Sequence, residues 1–192
     1  MREDLSRPSG TVWGMPLYIA ATEAEAKYLD KPVLISGIGT LAAAITLCKE
    51  LSRSTPDRVI NFGTAGALAP ISGEFEINEV IKHDFDTETL KAITGLDIPN
   101  RITLEPITDL PQARLATGDS FIGSNQQRQA LQTRADLCDM EGYAIAAVCA
   151  AYEVPCTLIK QVSDNADEQA ARTWAQAVEL GAQRLADVID KL

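Results

Sequence analysis

The sequence predicts an α/β fold: three layers, α/β/α, around a mostly parallel, mixed sheet. Three observations carry that reading. Short apolar runs of strand length alternate with helix-period segments along nearly the whole chain. Two of those runs lead into glycine-bearing turns, Gly37-Ile38-Gly39 and Gly63-Thr64-Ala65-Gly66, as at the strand ends of open α/β sheets. At 192 residues the chain is long enough for one substantial core without disulfides or metals. Residues 1–14 read as a polar N-terminal extension and residues 15–192 as the domain.

In order, residues 17–21 form a first strand, and Thr22 with Glu25 three positions on fits a capping box opening a short helix over residues 23–29. A second strand at residues 33–36 passes through the first glycine turn into a helix with Leu41, Ile45 and Cys48 on one face. Residues 58–62 complete a β-α-β crossover and end in the second glycine turn. A fourth strand lies within residues 75–86. Residues 87–115, rich in Thr, Pro and Asp, read as an irregular surface excursion. Order returns with a strand at 114–117, a polar helix over about 124–134, a short strand at 137–140 and an alanine-rich helix from Glu141 closed by Pro155. A buried strand over 157–162 and a helix over 168–192 finish the chain. The stripe Trp174, Val178, Gly181, Leu185, Val188 and Leu192 reads as core packing rather than a cofactor box.

Composition narrows the function. A net charge of -10 argues against nucleic acid or an anionic membrane as partner, since polyanions are drawn to clustered Lys and Arg. A small-molecule ligand fits better. Cys48, Cys138, Cys149 and Cys156 lack Cys-x-x-Cys spacing, and His83 is the single histidine. That disfavours zinc and a Cys-His nucleophile and favours a reducing cytoplasm. Residues 1–14 resemble neither a signal peptide nor an anchor, and no stretch reaches the roughly 20 apolar residues of a membrane span. Gly37-Ile38-Gly39 lacks the third glycine and the later acidic partner of a dinucleotide fingerprint, so NAD is not read there.

The strongest candidate for chemistry is Asp164. The apolar run before it breaks into Ser163, Asp164, Asn165 and Asp167, which puts a carboxylate at the carboxyl end of a buried strand, where α/β sheets bind ligands. Asp167 reads as a turn or cap residue. Glu25 has the capping-box reading beside any functional one. Glu141, in the first turn of its helix, is favoured there by the macrodipole whether or not it binds anything. Phe121 is an aromatic exposed by its own turn, and His83 reads as a hydrogen-bonded structural group.

Five segments in order, Ser36-Gly37-Ile38-Gly39, Asn61-Phe62-Gly63-Thr64-Ala65-Gly66, Thr117-Gly118-Asp119-Ser120-Phe121-Ile122, Asp139-Met140-Glu141 and Val162-Ser163-Asp164-Asn165-Ala166-Asp167, resemble the nucleoside phosphorylase and nucleosidase superfamily. Within it they are most similar to the 5'-methylthioadenosine/S-adenosylhomocysteine nucleosidases. The resemblance implies hydrolysis of the N-ribosidic bond of an adenine nucleoside, with no metal or cofactor, by a homodimer. It implies Asp164 as the acid protonating purine N7 and Glu25 as the base for the attacking water. Glu141 would grip the ribose hydroxyls and Met140 would pack on the sugar. Phe121 would stack on the base and the Ile122 backbone would read its edge. Thr64 and Lys160 would help hold the water, and Ser163 would join the binding site. Related phosphorylases hold phosphate with arginines at the glycine turns, whereas here those positions carry Ser36, Ile38, Asn61 and Phe62. Hydrolysis is therefore favoured over phosphorolysis, and a nucleoside-binding protein with degenerate catalysis is the alternative of another class. Three departures from the family pattern stand out: a short link between Leu29 and Val33, no long loop after Asp86, and lysine at position 160 in place of the usual arginine.

Overall fold

The computed structural model describes residues 15–192; the extension expected at residues 1–14 lies outside them. One mixed sheet is built from β1 (Leu17–Ala20), β2 (Val33–Ile35), β3 (Val59–Ala67), β4 (Glu74–Lys82), β5 (Arg101–Thr103), β6 (Gln112–Thr117), β7 (Leu137–Asp139) and β8 (Cys156–Asp164). The helices are α1 (Glu23–Ala26), α2 (Thr40–Leu51), α3 (Thr87–Thr94), α4 (Asn125–Leu131), α5 (Gly142–Ala151) and α6 (Ala170–Ile189). The strand order is β2-β1-β3-β7-β6-β4-β5, and β8 bonds to both β3 and β4. Strands β3, β7, β6, β4 and β8 thus close on one another, while β2 and β1 extend one side. Parallel pairs dominate; β7 on β3 and both β5 and β8 on β4 are antiparallel.

Adjacent residues of the central strands feed opposite layers, as the two-residue strand period requires. Ile19, Val59 and Leu158 join the core under α2 and α5. Tyr18, Ile60, Phe62 and Ile159 join the core under α6, with Leu185 and Ile189. A smaller cluster with Ile122, Leu131, Ala135 and Cys138 sits under α4. Full burial of Leu158 and Ile159, worth about 1.5–3 kcal/mol each, fixes the register of β8 and so the position of its last residues.

Four readings of the sequence are corrected. Residues 63–67 are not a turn: β3 runs straight through them because β8 pairs with one edge and β7 with the other. The excursion at 87–115 holds α3, β5 and the start of β6. Helix α3 is capped by the Asp86 carboxylate, which accepts from Thr89 N at 3.0 Å, and ends at Gly95 with φ 72°. Of the α2 face carrying Leu41, Ile45 and Cys48, only Cys48 packs against the core; Leu41 and Ile45 are exposed, and the buried positions are Thr40, Ala43, Leu47 and Leu51. In the stripe expected on α6, Leu192 lies beyond the helix and is exposed, and Trp174 stands apart from the packing, as described below.

Candidate active site

A cavity of about 220 Å³ opens where β3, β7 and β8 end, and the features of these ends are local consequences of sequence. β8 stays in parallel register with β3 from Val59 opposite Cys156 to Ala65 opposite Val162; then Gly66 pairs with Asp164 and Ser163 becomes an extra residue. Such a bulge re-aims the side chains beside it. Asp164 Oδ2 accepts from Ser163 Oγ at 2.8 Å, and Oδ1 accepts from Ala166 N at 2.8 Å. Ala166 holds φ at 49°, so the chain turns sharply under the carboxylate. A side chain at Gly66 would put its Cβ 3.0 Å from Asp164 Oδ1, so glycine there makes the room.

Glu25 serves both of the roles its spacing allows. The capping box with Thr22 is formed, and the same carboxylate reaches β3. Its Oε2 accepts from Thr22 N at 3.1 Å and Thr22 Oγ1 at 3.2 Å, and its Oε1 accepts from Thr64 N at 2.8 Å and Thr64 Oγ1 at 2.9 Å. A Cβ at Gly63 would lie 2.8 Å from Oε1. Glu25 and Asp164 therefore rest against two glycines of one strand, Gly63 and Gly66, and both line the cavity.

Glu141 precedes α5 without capping it; Oε1 accepts instead from Gly39 N at 2.8 Å. Gly39, at φ 99°, is turned to present that N–H, and Asp119 steadies the turn by accepting from Thr40 N at 2.7 Å. Burial pushes the Glu141 carboxyl up to about 7, neighbouring Asp139 adds to the rise, and Lys160 opposes it. Lys160 is 1% exposed. Its Nζ lies 2.9 Å from Asp139 Oδ2 and donates to Asn61 Oδ1 at 2.8 Å. Asp139 also accepts from Thr117 Oγ1 at 2.6 Å and Gly142 N at 2.9 Å. Burial pulls the Lys160 amine down, but Asp139 and Glu141 outweigh it and leave it raised.

Of the residues expected from the sequence, Glu25, Asp164 and Glu141 line this one cavity. So do Met140, Phe121, Ile122, Thr64 and Ser163. Lys160 does not; its ammonium is spent on Asp139 and Asn61, beneath the cavity. Trp174 does line it, and its Nε1 donates to Thr64 Oγ1 at 2.9 Å. Helical spacing concealed this, because it describes the face of a helix and not the strand ends that Trp174, near the start of α6, meets. Thr22 and Ile38 are further wall residues that sequence reasoning missed. His83 stays outside the wall, its ring against Gly118 and its buried Nε2 unpartnered among the described residues. Burial lowers its pKa, against the pull of Asp84. Asp167 accepts from Gln169 N at 2.9 Å, a turn role.

No Arg or Lys stands among the described lining residues. Arg58, at the far end of β3, donates to Thr157 Oγ1. Among the described residues a phosphate nucleophile would find no cationic side chain in the wall, whereas a neutral nucleoside meets four carboxylates, two aromatic rings and apolar walls.

The fold and this cavity define the class, the phosphorylase superfamily, whose sequence profile matches residues 105–192. A 5'-methylthioadenosine/S-adenosylhomocysteine nucleosidase of Staphylococcus saprophyticus is 31% identical, over 85% of this chain and 82% of the relative. One of a Geobacillus species is 30% identical, over 83% and 78%. The chain belongs to the 5'-methylthioadenosine/S-adenosylhomocysteine nucleosidase family. A Helicobacter pylori structure of that name, with 5'-methylthioadenosine in its active site, shares the fold at a TM-score of 0.80 and 22% identity, covering 93% of this chain and 99% of the other.

Proposed function

We propose that the chain hydrolyses the N-ribosidic bond of an adenine nucleoside bearing a 5'-thioether, of the methylthioadenosine or adenosylhomocysteine kind, releasing adenine and a 5-substituted ribose. The family is one of N-glycosyl hydrolases. One observation carries the roles: Glu25, Asp164 and Glu141 line one cavity, the first two against glycines of the same strand. Asp164 gives a proton to N7 as the base departs, which lowers the charge on the leaving group. Glu25 takes the proton of the water that attacks the anomeric carbon, the division of labour of inverting glycosidases. The ribose hydroxyls donate to Glu141 while Met140 covers the sugar. Phe121, half-exposed at the mouth, stacks on the purine beside the Ile122 backbone. Ser163 steadies Asp164 and Thr64 steadies Glu25.

The assay is chromatography of methylthioadenosine, adenosylhomocysteine, adenosine and inosine reactions with and without phosphate. Free adenine with unphosphorylated sugar and no need of phosphate supports the reading; release only with phosphate makes the protein a phosphorylase. Asp164→Asn should leave the fold intact and lower turnover about 10²–10⁴-fold. An active variant would remove Asp164 from its role.

Three finer points belong to the same proposal. The protein is a homodimer: Ile38, Leu41 and Ile45 are 57%, 71% and 45% exposed along the α2 end that borders the cavity, an apolar strip suited to a second copy. Light scattering at the mass of a monomer would contradict this. It works in the cytoplasm, in keeping with four free cysteines, and it serves methionine salvage by clearing thioether nucleosides.

A further inference from the structure

We infer that Trp174 is a positioning residue for the hydrolytic step, its indole N–H committing the Thr64 hydroxyl proton to Glu25; the inference rests on the role proposed for Glu25. The argument is one of donor counting. Thr64 Oγ1 lies 2.9 Å from both Trp174 Nε1 and Glu25 Oε1. A hydroxyl has one proton and two lone pairs, while an indole N–H only donates. Thr64 Oγ1 therefore accepts from Trp174, and its own proton points at Glu25. With Thr64 N on the same oxygen and Thr22 N and Oγ1 on the other, all the acceptor directions of the carboxylate are engaged. A water entering against Glu25 must take the place of one donor. The hydroxyls are the ones that can turn; that of Thr22 is held within the capping box by Glu25 N at 3.3 Å, and that of Thr64 by Trp174 at 2.9 Å. The indole thus governs how firmly Glu25 is held and which donor yields to water.

The link is long in sequence and thin in structure. Trp174 stands in α6, 110 residues from Thr64, and the ring reaches the cavity wall from the helix side. It touches neither Glu25 nor the sugar site through a hydrogen bond of its own. Its effect passes through one oxygen atom, so it can be separated from the bulk of the ring.

The test is a double-mutant cycle with methylthioadenosine. Trp174→Phe keeps an aromatic ring and removes the donor; Thr64→Val keeps the volume of threonine and removes the relay. Trp174→Phe should lower kcat about 3- to 10-fold and move KM less than about twofold, as expected for one modest hydrogen bond felt in the transition state. In the Thr64→Val background the same change should have no further effect on kcat. A full, undiminished loss in that background overturns the inference, because Trp174 would then act by bulk alone. So does a kcat for Trp174→Phe equal to that of the parent. A parent enzyme that releases no adenine from any nucleoside of the panel overturns the functional reading itself, and this inference with it. Emission of Trp174 in a Trp13→Phe protein, where it is the sole tryptophan, gives an independent check. Loss of the acceptor in Thr64→Val should shift that emission; an unshifted spectrum denies the hydrogen bond.

Discussion

Glu25 and Glu141 are 5% and 7% exposed, yet their surroundings differ in kind. Glu25 receives protein donors on every side, from Thr22 and Thr64. Among the described residues Glu141 receives one, Gly39 N, with the Asp139 carboxylate close by. Equal burial therefore does not mean equal satisfaction. A buried carboxylate short of donors is costly unless something else supplies them, and a ribose diol supplies two. Glu25 is finished by the fold; Glu141 is left for the ligand to finish.

The comparison is broken most severely through Lys160, the cation beneath the cavity. Lys160→Met leaves Asp139 buried without its counter-ion and should cost about 3–5 kcal/mol in denaturant unfolding. It should also raise the pH at which Glu141 ionises, since Lys160 is what opposes the rise. A fully stable variant with an unchanged pH profile would mean that the pair carries little of this load.

A sharper test applies the same substitution to both glutamates. Glu25→Gln turns an amide N–H₂ toward protein donors and should destabilise the fold by about 1.5–3 kcal/mol. Glu141→Gln removes a carboxylate that the empty site ionises only at a cost, so it should be neutral or stabilising at pH 8 while raising KM about 10- to 100-fold. Equal thermal shifts for the two would erase the distinction.

The smallest effect is in pH. The Glu141 carboxyl is raised in the fold from an ordinary value of 4.5 to about 7. Its contribution to stability is thus present in full below pH 4.5 and lost as the pH rises to about 7, the reverse of a salt-bridged carboxylate. Glu141→Gln should therefore gain stability relative to the parent between pH 5 and 8. Substrate binding runs the other way: the diol needs the ionised acceptor, so KM should rise about tenfold per pH unit below 7. A flat KM from pH 5.5 to 8 would show Glu141 already charged in the empty site.

What could be read in advance follows physical range. The capping box of Thr22 and Glu25, the break of an apolar strand at Asp164 and a helix start at Glu141 are written over three to ten residues; the first two are found where that spacing puts them, and the helix begins one residue later, at Gly142. The Asp86 and Gly95 caps of α3 were equally local but were masked by the prolines that follow. Trp174 was misread for the opposite reason: four-and-three spacing describes a helix face, but the identity of what that face meets lies in another part of the chain.

The sequence by itself determined the alternating α/β order, the strand ends on which the carboxylates sit and the family to which the segments belong, because propensity, caps and hydrophobic period act between near neighbours. Only the tertiary structure decided that residues 63–67 are strand, that Lys160 faces Asp139 rather than the cavity, that α2 leaves its apolar strip exposed and that Trp174 bonds to Thr64. Each of these is a pairing across dozens of residues, fixed by register and by which buried groups need partners, and no local pattern encodes it.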